Sequence, residues 1–279
     1  IKRIGEQKNS IGLYNVDNPE EYGVVETKND NLVKIHEKMK IPFTNLINAG
    51  IYHFDRSLFT CLEQLKKSPR GEYELTDAIN MLTQNNPFAA FTLTEWQDVG
   101  YAWDLLDANK KMLERIDYLQ EGTVEKGAVL KGNVFVGKNT VVKSGSYIEG
   151  PVVVGNNCKI GPNCYIRPHT TIGNNCHVGN ACEIKNSIIM DNTNVPHHNY
   201  VGNSVIGRDC NLGSGTKIAN LRLDKKNITV TLNGNRINTG RRKLGIIMGD
   251  NVQTGINSMI NTGTFIGNNV FVGPGAMVT

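Results

Sequence analysis

Arg167 and Lys185 stand eighteen residues apart in a chain of 279, and His197 and Tyr200 follow within one further interval of that length. If eighteen residues make one turn of a coil, the two cations lie about 4.8 Å apart, the spacing of neighbouring strands. Like charges at that distance repel by about 1 kcal/mol in water, and by more where solvent is excluded. A phosphate held between them removes the conflict. Lys131, Glu149 and Arg167 in the same column alternate in sign, so an exposed ion-pair ladder is the plainer reading of the column. Lys185 beside Arg167 does not fit that ladder. A histidine near such a clamp brings a base that works near neutral pH. His197 also has the plainer reading of a structural histidine.

Positioning these side chains requires a coil, and the sequence contains one. An aliphatic residue returns every six positions at Val124, Leu130, Val136, Val142, Ile148, Val154, Ile160, Ile166, Ile172, Val178, Ile184 and Met190. The period resumes at Val201, Ile206, Leu212 and Ile218, and again at Met248, Thr254, Ile260, Ile266, Val272 and Val278. Six suits neither a helix nor a heptad coil, but it suits short strands that turn a corner. Small residues four past the aliphatic, among them Thr140, Ser146, Cys158, Cys164, Thr170, Cys176 and Cys182, are expected inside near a corner. Glycines directly after the aliphatic, such as Gly137, Gly155, Gly173 and Gly179, are expected to turn the backbone at positive φ. With Cys210, five of the six cysteines fill the small interior position, which makes them reduced core residues rather than disulfides or metal ligands. Between Met190 and Ile206 the spacing slips twice to five residues, around the stretch that carries His197 and Tyr200.

Residues 1–100 lack this period. Apolar runs at 22–25, 32–35 and 47–54 predict strands, and 58–66 and 76–83 predict helices, an α/β mixture. Residues 101–119 predict a helix whose apolar stripe covers the open first coil, with a domain boundary near 120. Residues 221–247 interrupt the coil with a basic excursion (Lys225, Lys226, Arg236, Arg241, Arg242, Lys243), whose plainer reading is a solvated hairpin. A net charge of +4 does not suggest a nucleic-acid protein. No apolar run reaches the roughly 18 residues of a membrane span and no signal peptide is evident, so a cytoplasmic protein without a membrane partner is expected. A start at Ile1 and an end at Thr279 inside a repeat read as a fragment truncated at both ends.

The six-residue repeat resembles that of the hexapeptide-repeat acyltransferases, whose fold is a left-handed parallel β-helix; the handedness comes from the resemblance. The runs Glu21-Tyr22-Gly23-Val24-Val25-Glu26, His36-Glu37-Lys38, Asn48-Ala49-Gly50-Ile51-Tyr52 and Arg70-Gly71-Glu72-Tyr73-Glu74-Leu75-Thr76-Asp77 resemble the second half of sugar-1-phosphate nucleotidylyltransferases. The implied fold is a partial α/β nucleotidyltransferase domain over 1–120, then an all-β left-handed parallel β-helix over 121–279. In the first domain the resemblance implies sugar contacts from Gly23, Glu37 and Asn48, a phosphate contact from Lys38, and Mg2+ bound at Asp98. Singly, Glu37 and Lys38 also read as a solvated strand end, Asn48 as a turn former and Asp98 as a helix cap. The family's Gly-x-Gly-Thr-Arg loop and first metal-binding aspartate are missing, and Met39 stands in place of a proline. This chain alone is therefore not expected to transfer a nucleotide.

The second domain resembles the acetyltransferase half of the bifunctional glucosamine-1-phosphate acetyltransferase/N-acetylglucosamine-1-phosphate uridylyltransferases. The resemblance rests on Arg167, Lys185, His197, Tyr200, Asn211 and Asn220, with Asn220-Leu221-Arg222-Leu223-Asp224 and Thr239-Gly240-Arg241-Arg242-Lys243-Leu244-Gly245 looking like the archaeal form. It implies acetyl transfer from acetyl-CoA to the amine of glucosamine 1-phosphate, with His197 as general base. Arg167, Lys185, Tyr200, Asn211, Asn220 and Lys226 would surround the sugar phosphate, and Gly255 and Asn257 would face acetyl-CoA. Asn220 also reads as a corner turn residue and Asn211 as a ladder residue. The resemblance further implies a homotrimer with sites between subunits and an insertion that reaches a neighbour. A nucleoside triphosphate, UTP, would be a substrate of the whole enzyme, which makes UDP-N-acetylglucosamine. The competing expectation is a sugar-1-phosphate thymidylyl- or guanylyltransferase whose β-helix only regulates or oligomerises.

Overall fold

The computed structural model describes residues 5–84 and 86–279. The chain divides into two compact units between Gln97 and Asp98.

In the first unit five strands close on one another in the order β1 (Ser10–Asn15), β4 (Leu46–His53), β2 (Gly23–Lys28), β3 (Asn31–Glu37) and β5 (Ala89–Thr92), with β5 parallel to β1. Asn29 and Asp30, both at positive φ, turn β2 into β3; these are the non-glycine types that best tolerate that conformation. Helices α1 (Ser57–Glu63) and α2 (Leu75–Thr83) fall where the apolar spacing predicts them. Ala78, Ile79 and Leu82 of α2 are buried with Ile11, Leu13, Val25, Ile35 and Phe88. Asn80 pins α2 to β3, accepting from the Ile35 amide at 2.8 Å and donating to its carbonyl at 2.9 Å. Strands β1 and β5 were not predicted, because β1 is buried over four successive residues and so lacks alternation, and β5 is only four residues long.

The second unit is a left-handed parallel β-helix with three walls of eight strands each. The first wall runs from Thr123–Val124 to Phe271–Val272, the second from Val129–Lys131 to Met277–Val278, and the third from Leu119–Gln120 to Thr264–Ile266. The predicted column forms the core: Val136, Val142, Ile148, Val154, Ile160, Ile166, Ile172, Val178 and Ile184 are all fully buried. The small residues sit inside as expected, and burial pushes the Cys164 thiol up to about 11.

Three expectations change. Met190 is not in the column, because Ile172 pairs with Ile189, which is buried, while Met190 packs outward. The five-residue steps are therefore Ile184 to Ile189 and Val201 to Ile206, both at the corner between the second and third walls. At that shortened corner the hydroxyls of Ser187 and Ser204 accept from the next coil, from Ser204 N and Ile246 N, each at 3.1 Å. Gly161, after Ile160, does adopt positive φ, but it falls mainly three residues after the aliphatic, on Asn139, Asn157, Asn175, Asn192, Asn251 and Asn269, rather than on Gly137, Gly155, Gly173 or Gly179. Those glycines serve close approach instead. A Cβ on Gly179 would lie 1.8 Å from the Pro196 carbonyl oxygen of the next coil.

The connecting segment also lies elsewhere than expected. Helix α3 (Leu105–Leu113), preceded by a short turn at Ala102–Asp104, covers the outer face of the third wall rather than the first coil. The wall is apolar there, through Ile188, Met190, Val205 and Ile247, and Trp103 and Leu106 bury it. The unit boundary consequently falls ahead of this helix, not near 120. The insertion forms a hairpin, Thr229–Leu232 with Asn235–Asn238, and Ile228, Val230 and Leu244 join the same small core. It is packed onto its own chain along one side.

Candidate active site

The outer face of the second wall carries two columns. Tyr147, Tyr165, Glu183, Tyr200 and Lys217 follow one another in register in the first. Lys131, Glu149, Arg167, Lys185 and Gly202 form the second, at the edge that turns into the third wall. The lower part is the ion-pair ladder of the plainer reading: Lys131 bonds Glu149 at 3.1 Å, Tyr165 donates to Glu149 at 3.0 Å, and Arg167 donates to Glu183 at 2.9 Å. Glu183 was not anticipated as the Arg167 partner, because it stands in the neighbouring column.

The ladder stops at Lys185. Burial, then the positive charges of Lys243 and Arg167, hold its amine below the usual lysine range. Neither Lys185 nor Lys243 has a carboxylate within 4.0 Å among the described residues. These two cations and Arg167 line a cleft of about 390 Å³ with Asn203 and His169. Asn220 donates to Asn203 at 2.8 Å and also hydrogen-bonds the Tyr200 hydroxyl, while burial raises the Tyr200 pKa. Gly202 leaves room for this group, since a Cβ there would lie 2.6 Å from the Asn220 amide nitrogen and 2.7 Å from the Tyr200 hydroxyl.

The structure thus brings Arg167, Lys185, Tyr200 and Asn220 to one edge of the second wall. His197 stands at the opposite edge, exposed at the corner where the first wall turns into the second. His198 beside it takes the positive-φ corner position, which accounts for that second histidine. His177 of the coil below is near: burial, then the charge of His197, pushes its pKa down. Asn211 lies round the corner on the exposed face of the first wall, between Asn194 and Gln253. Lys226 is exposed in the insertion, its amide donating to Asp224 at 3.2 Å. Asn257 occupies a positive-φ corner and Gly255 stacks against the Pro274 backbone. In the sequence Lys243 is one member of a basic run; its position at the end of the insertion, where the chain must re-enter the corner, is the signal that sets it apart.

In the first unit, Gly23 pairs in register with Glu37, whose carboxylate lies 3.9 Å from Arg70. Lys38 has positive φ and donates its amide to the Tyr22 carbonyl at 3.2 Å. Asn48 donates to the Tyr52 hydroxyl at 2.6 Å and accepts from Gly50 N at 3.0 Å. Burial raises the Tyr52 pKa, and the charge of Glu37 adds to it, so Glu37, Asn48 and Tyr52 form one polar group. Asp98 belongs to the second unit. No group of three or more His, Cys, Asp or Glu among the described residues could by itself hold a metal ion.

The fold and this site define a hexapeptide-repeat transferase joined to part of a nucleotidyltransferase. A family described as nucleotidyl transferase matches residues 2–115, and one described as the GMPPB C-terminal domain matches 148–262. A bifunctional sugar-1-phosphate nucleotidylyltransferase/acetyltransferase of Sulfurisphaera tokodaii is 44% identical over 275 residues, covering 98% of this chain and 69% of the relative. The bifunctional protein GlmU of Methanocaldococcus jannaschii is 43% identical over 273 residues, covering 97% of this chain and 67% of the relative. That of Methanococcus maripaludis strain C7 is 48% identical over 283 residues, covering all of this chain and 68% of the relative. The chain belongs to this family of bifunctional nucleotidylyltransferase/acetyltransferases.

Proposed function

We propose that the second unit transfers the acetyl group of acetyl-CoA to the amine of glucosamine 1-phosphate, within an enzyme that also joins the product to UTP to give UDP-N-acetylglucosamine. The observation that carries the reading is the Lys185–Lys243 pair, two crowded cations without a carboxylate, at the end of a wall whose other edge presents His197. The pair takes the phosphate, and Tyr200 and Asn220 meet the sugar. The amine attacks the thioester carbonyl while His197 accepts its proton; the C–S bond breaks and the sulfur leaves as CoA thiolate, which takes up a proton. Asn211, round the corner from Tyr200, supports a site assembled from two walls of different subunits, and hence a homotrimer. Lys226 of the exposed loop, and Gly255 and Asn257 higher in the coil, remain assigned to the sugar phosphate and acetyl-CoA respectively. Gly23, Glu37, Lys38 and Asn48 hold the sugar 1-phosphate of the nucleotidyl reaction, and Asp98 remains assigned to its Mg2+ in the whole enzyme. No helix among the described residues is long and apolar enough to cross a membrane, which fits the cytoplasmic placement we propose.

Thiol release from acetyl-CoA in the presence of glucosamine 1-phosphate tests the reading. Release that requires both substrates is expected, and its absence from the trimeric chain overturns it. The competing reading, a sugar-1-phosphate thymidylyl- or guanylyltransferase whose β-helix only regulates or oligomerises, predicts no thiol release.

The anion cleft gives a further expectation. Phosphate binding needs Lys185 charged, so affinity for the sugar phosphate is constant at neutral pH and falls as pH rises through the depressed Lys185 pKa. Lys243→Met removes one cation and relieves its neighbour. We expect about tenfold weaker binding at neutral pH, with the alkaline fall moved to higher pH; calorimetric titrations across pH check both.

A further inference from the structure

We infer that Lys110 of the connecting helix α3 is a specificity residue for the acetyl acceptor, the cation that closes the phosphate cleft from outside the β-helix. The inference rests on the proposed acceptor and goes beyond it. The cleft lies under α3, and Lys110 lines it opposite Arg167, Lys185 and Lys243. The helix is fixed there. Asn109 donates to the His169 carbonyl at 3.0 Å and accepts from the Thr171 hydroxyl at 2.6 Å, and Asp107 is paired with Arg241. Lys110 therefore leaves the helix at a set point above the corner.

The charges around the cleft are unequal. Arg167 is matched by Glu183 and Asp107 by Arg241. Among the described residues Lys110 has Glu114 alone as an ion-pair partner, at 4.0 Å, one helical turn away, with both side chains about half exposed, and Glu114 is also 3.9 Å from His169. Such a pair contributes little and yields readily. His169, whose pKa is lowered by burial and then by the charge of Lys110, is biased toward its neutral form. Three lysines thus face a space that contains no free carboxylate among the described residues. A phosphate monoester, with two charges and three acceptor oxygens, matches three ammonium groups. An amino sugar without the phosphate offers them no anion, so the same contacts discriminate for the phosphorylated acceptor.

The test uses the full chain and measures calorimetric affinity for glucosamine 1-phosphate and for acetyl-CoA, for the wild type, Lys110→Met and Lys110→Arg. Lys110→Met is expected to weaken the sugar phosphate about tenfold and to leave acetyl-CoA affinity unchanged. Lys110→Arg is expected to restore most of the loss. In turnover the loss should appear in KM, with kcat within about twofold. Unchanged sugar-phosphate affinity in Lys110→Met overturns the inference, and so does a wild type that does not bind the sugar phosphate. An equal loss for acetyl-CoA also overturns it, placing Lys110 at the nucleotide end instead. If the wild type binds the sugar phosphate through Lys110 but releases no thiol, the proposed reaction fails and this inference stands.

Discussion

His197→Ala is expected to lower acetyl transfer by about 10²–10⁴-fold, the range a positioned general base supplies. The loss should lie in kcat, because the imidazole acts on the proton of the attacking amine rather than on the phosphate that anchors the sugar. The fold should be indifferent. His197 is exposed, and its structural contribution runs through the main chain, whose carbonyl accepts from Gly215 N at 3.0 Å and is retained in alanine. A melting temperature within about 1 °C of the wild type separates chemistry from stability. A second readout is independent of turnover. Positive charge on His197 helps to lower the His177 pKa, so the variant should move the His177 titration, followed by NMR, toward higher pH. Retention of more than a tenth of kcat would remove His197 from the reaction.

Gly179→Ala carries the largest structural effect. The added methyl group would sit 1.8 Å from the Pro196 carbonyl oxygen, 2.7 Å from its carbon and 3.0 Å from its Cα. All three are backbone atoms in a strand held in register with His177–Asn180, so no side chain can swing aside. The coils must separate locally, which breaks ladder hydrogen bonds and costs about 2–3 kcal/mol. The solenoid should melt several degrees lower, and because Pro196 precedes His197, kcat should fall as well. Gly267→Ala is the control: it occupies the same place after its aliphatic, but a Cβ there meets nothing within 4 Å. Equal melting shifts for the two variants would show that coil-to-coil approach is not what glycine provides at 179.

The solenoid was legible because its period is carried by side-chain type: only an aliphatic residue fits the fully dry interior at Ile148, Ile166 or Val178. The slip was misplaced because Ile188, Ile189 and Met190 are all apolar, and hydrophobicity alone does not say which of three faces inward. What decides it is a tertiary partner. Ile188 and Met190 are apolar because Trp103 and the hairpin cover that wall, and nothing local announces the cover. The same holds for α3, whose apolar stripe is legible in the sequence while the surface it covers is not. At the site, charge spacing along one column singled out Lys185 but could not reveal Glu183 beside Arg167 or Lys243 returning from the insertion. Column spacing reports neighbours above and below, while the decisive contacts cross columns or arrive from another element. The positive φ at His198 shows the converse, a polar residue that a local backbone need explains fully.

The corner between the second and third walls is also where the chain departs for the hairpin and returns, yet Val205 pairs with Ile247 as regularly as Ile188 pairs with Val205. The ladder is indifferent to what lies between one coil and the next, and the entropic cost of closing a longer excursion grows only with the logarithm of its length. This corner therefore behaves as a graft point. Arms of different length, charge or reach can be exchanged there without disturbing the register of the scaffold beneath, so what the arm contacts can diversify while the rod stays the same.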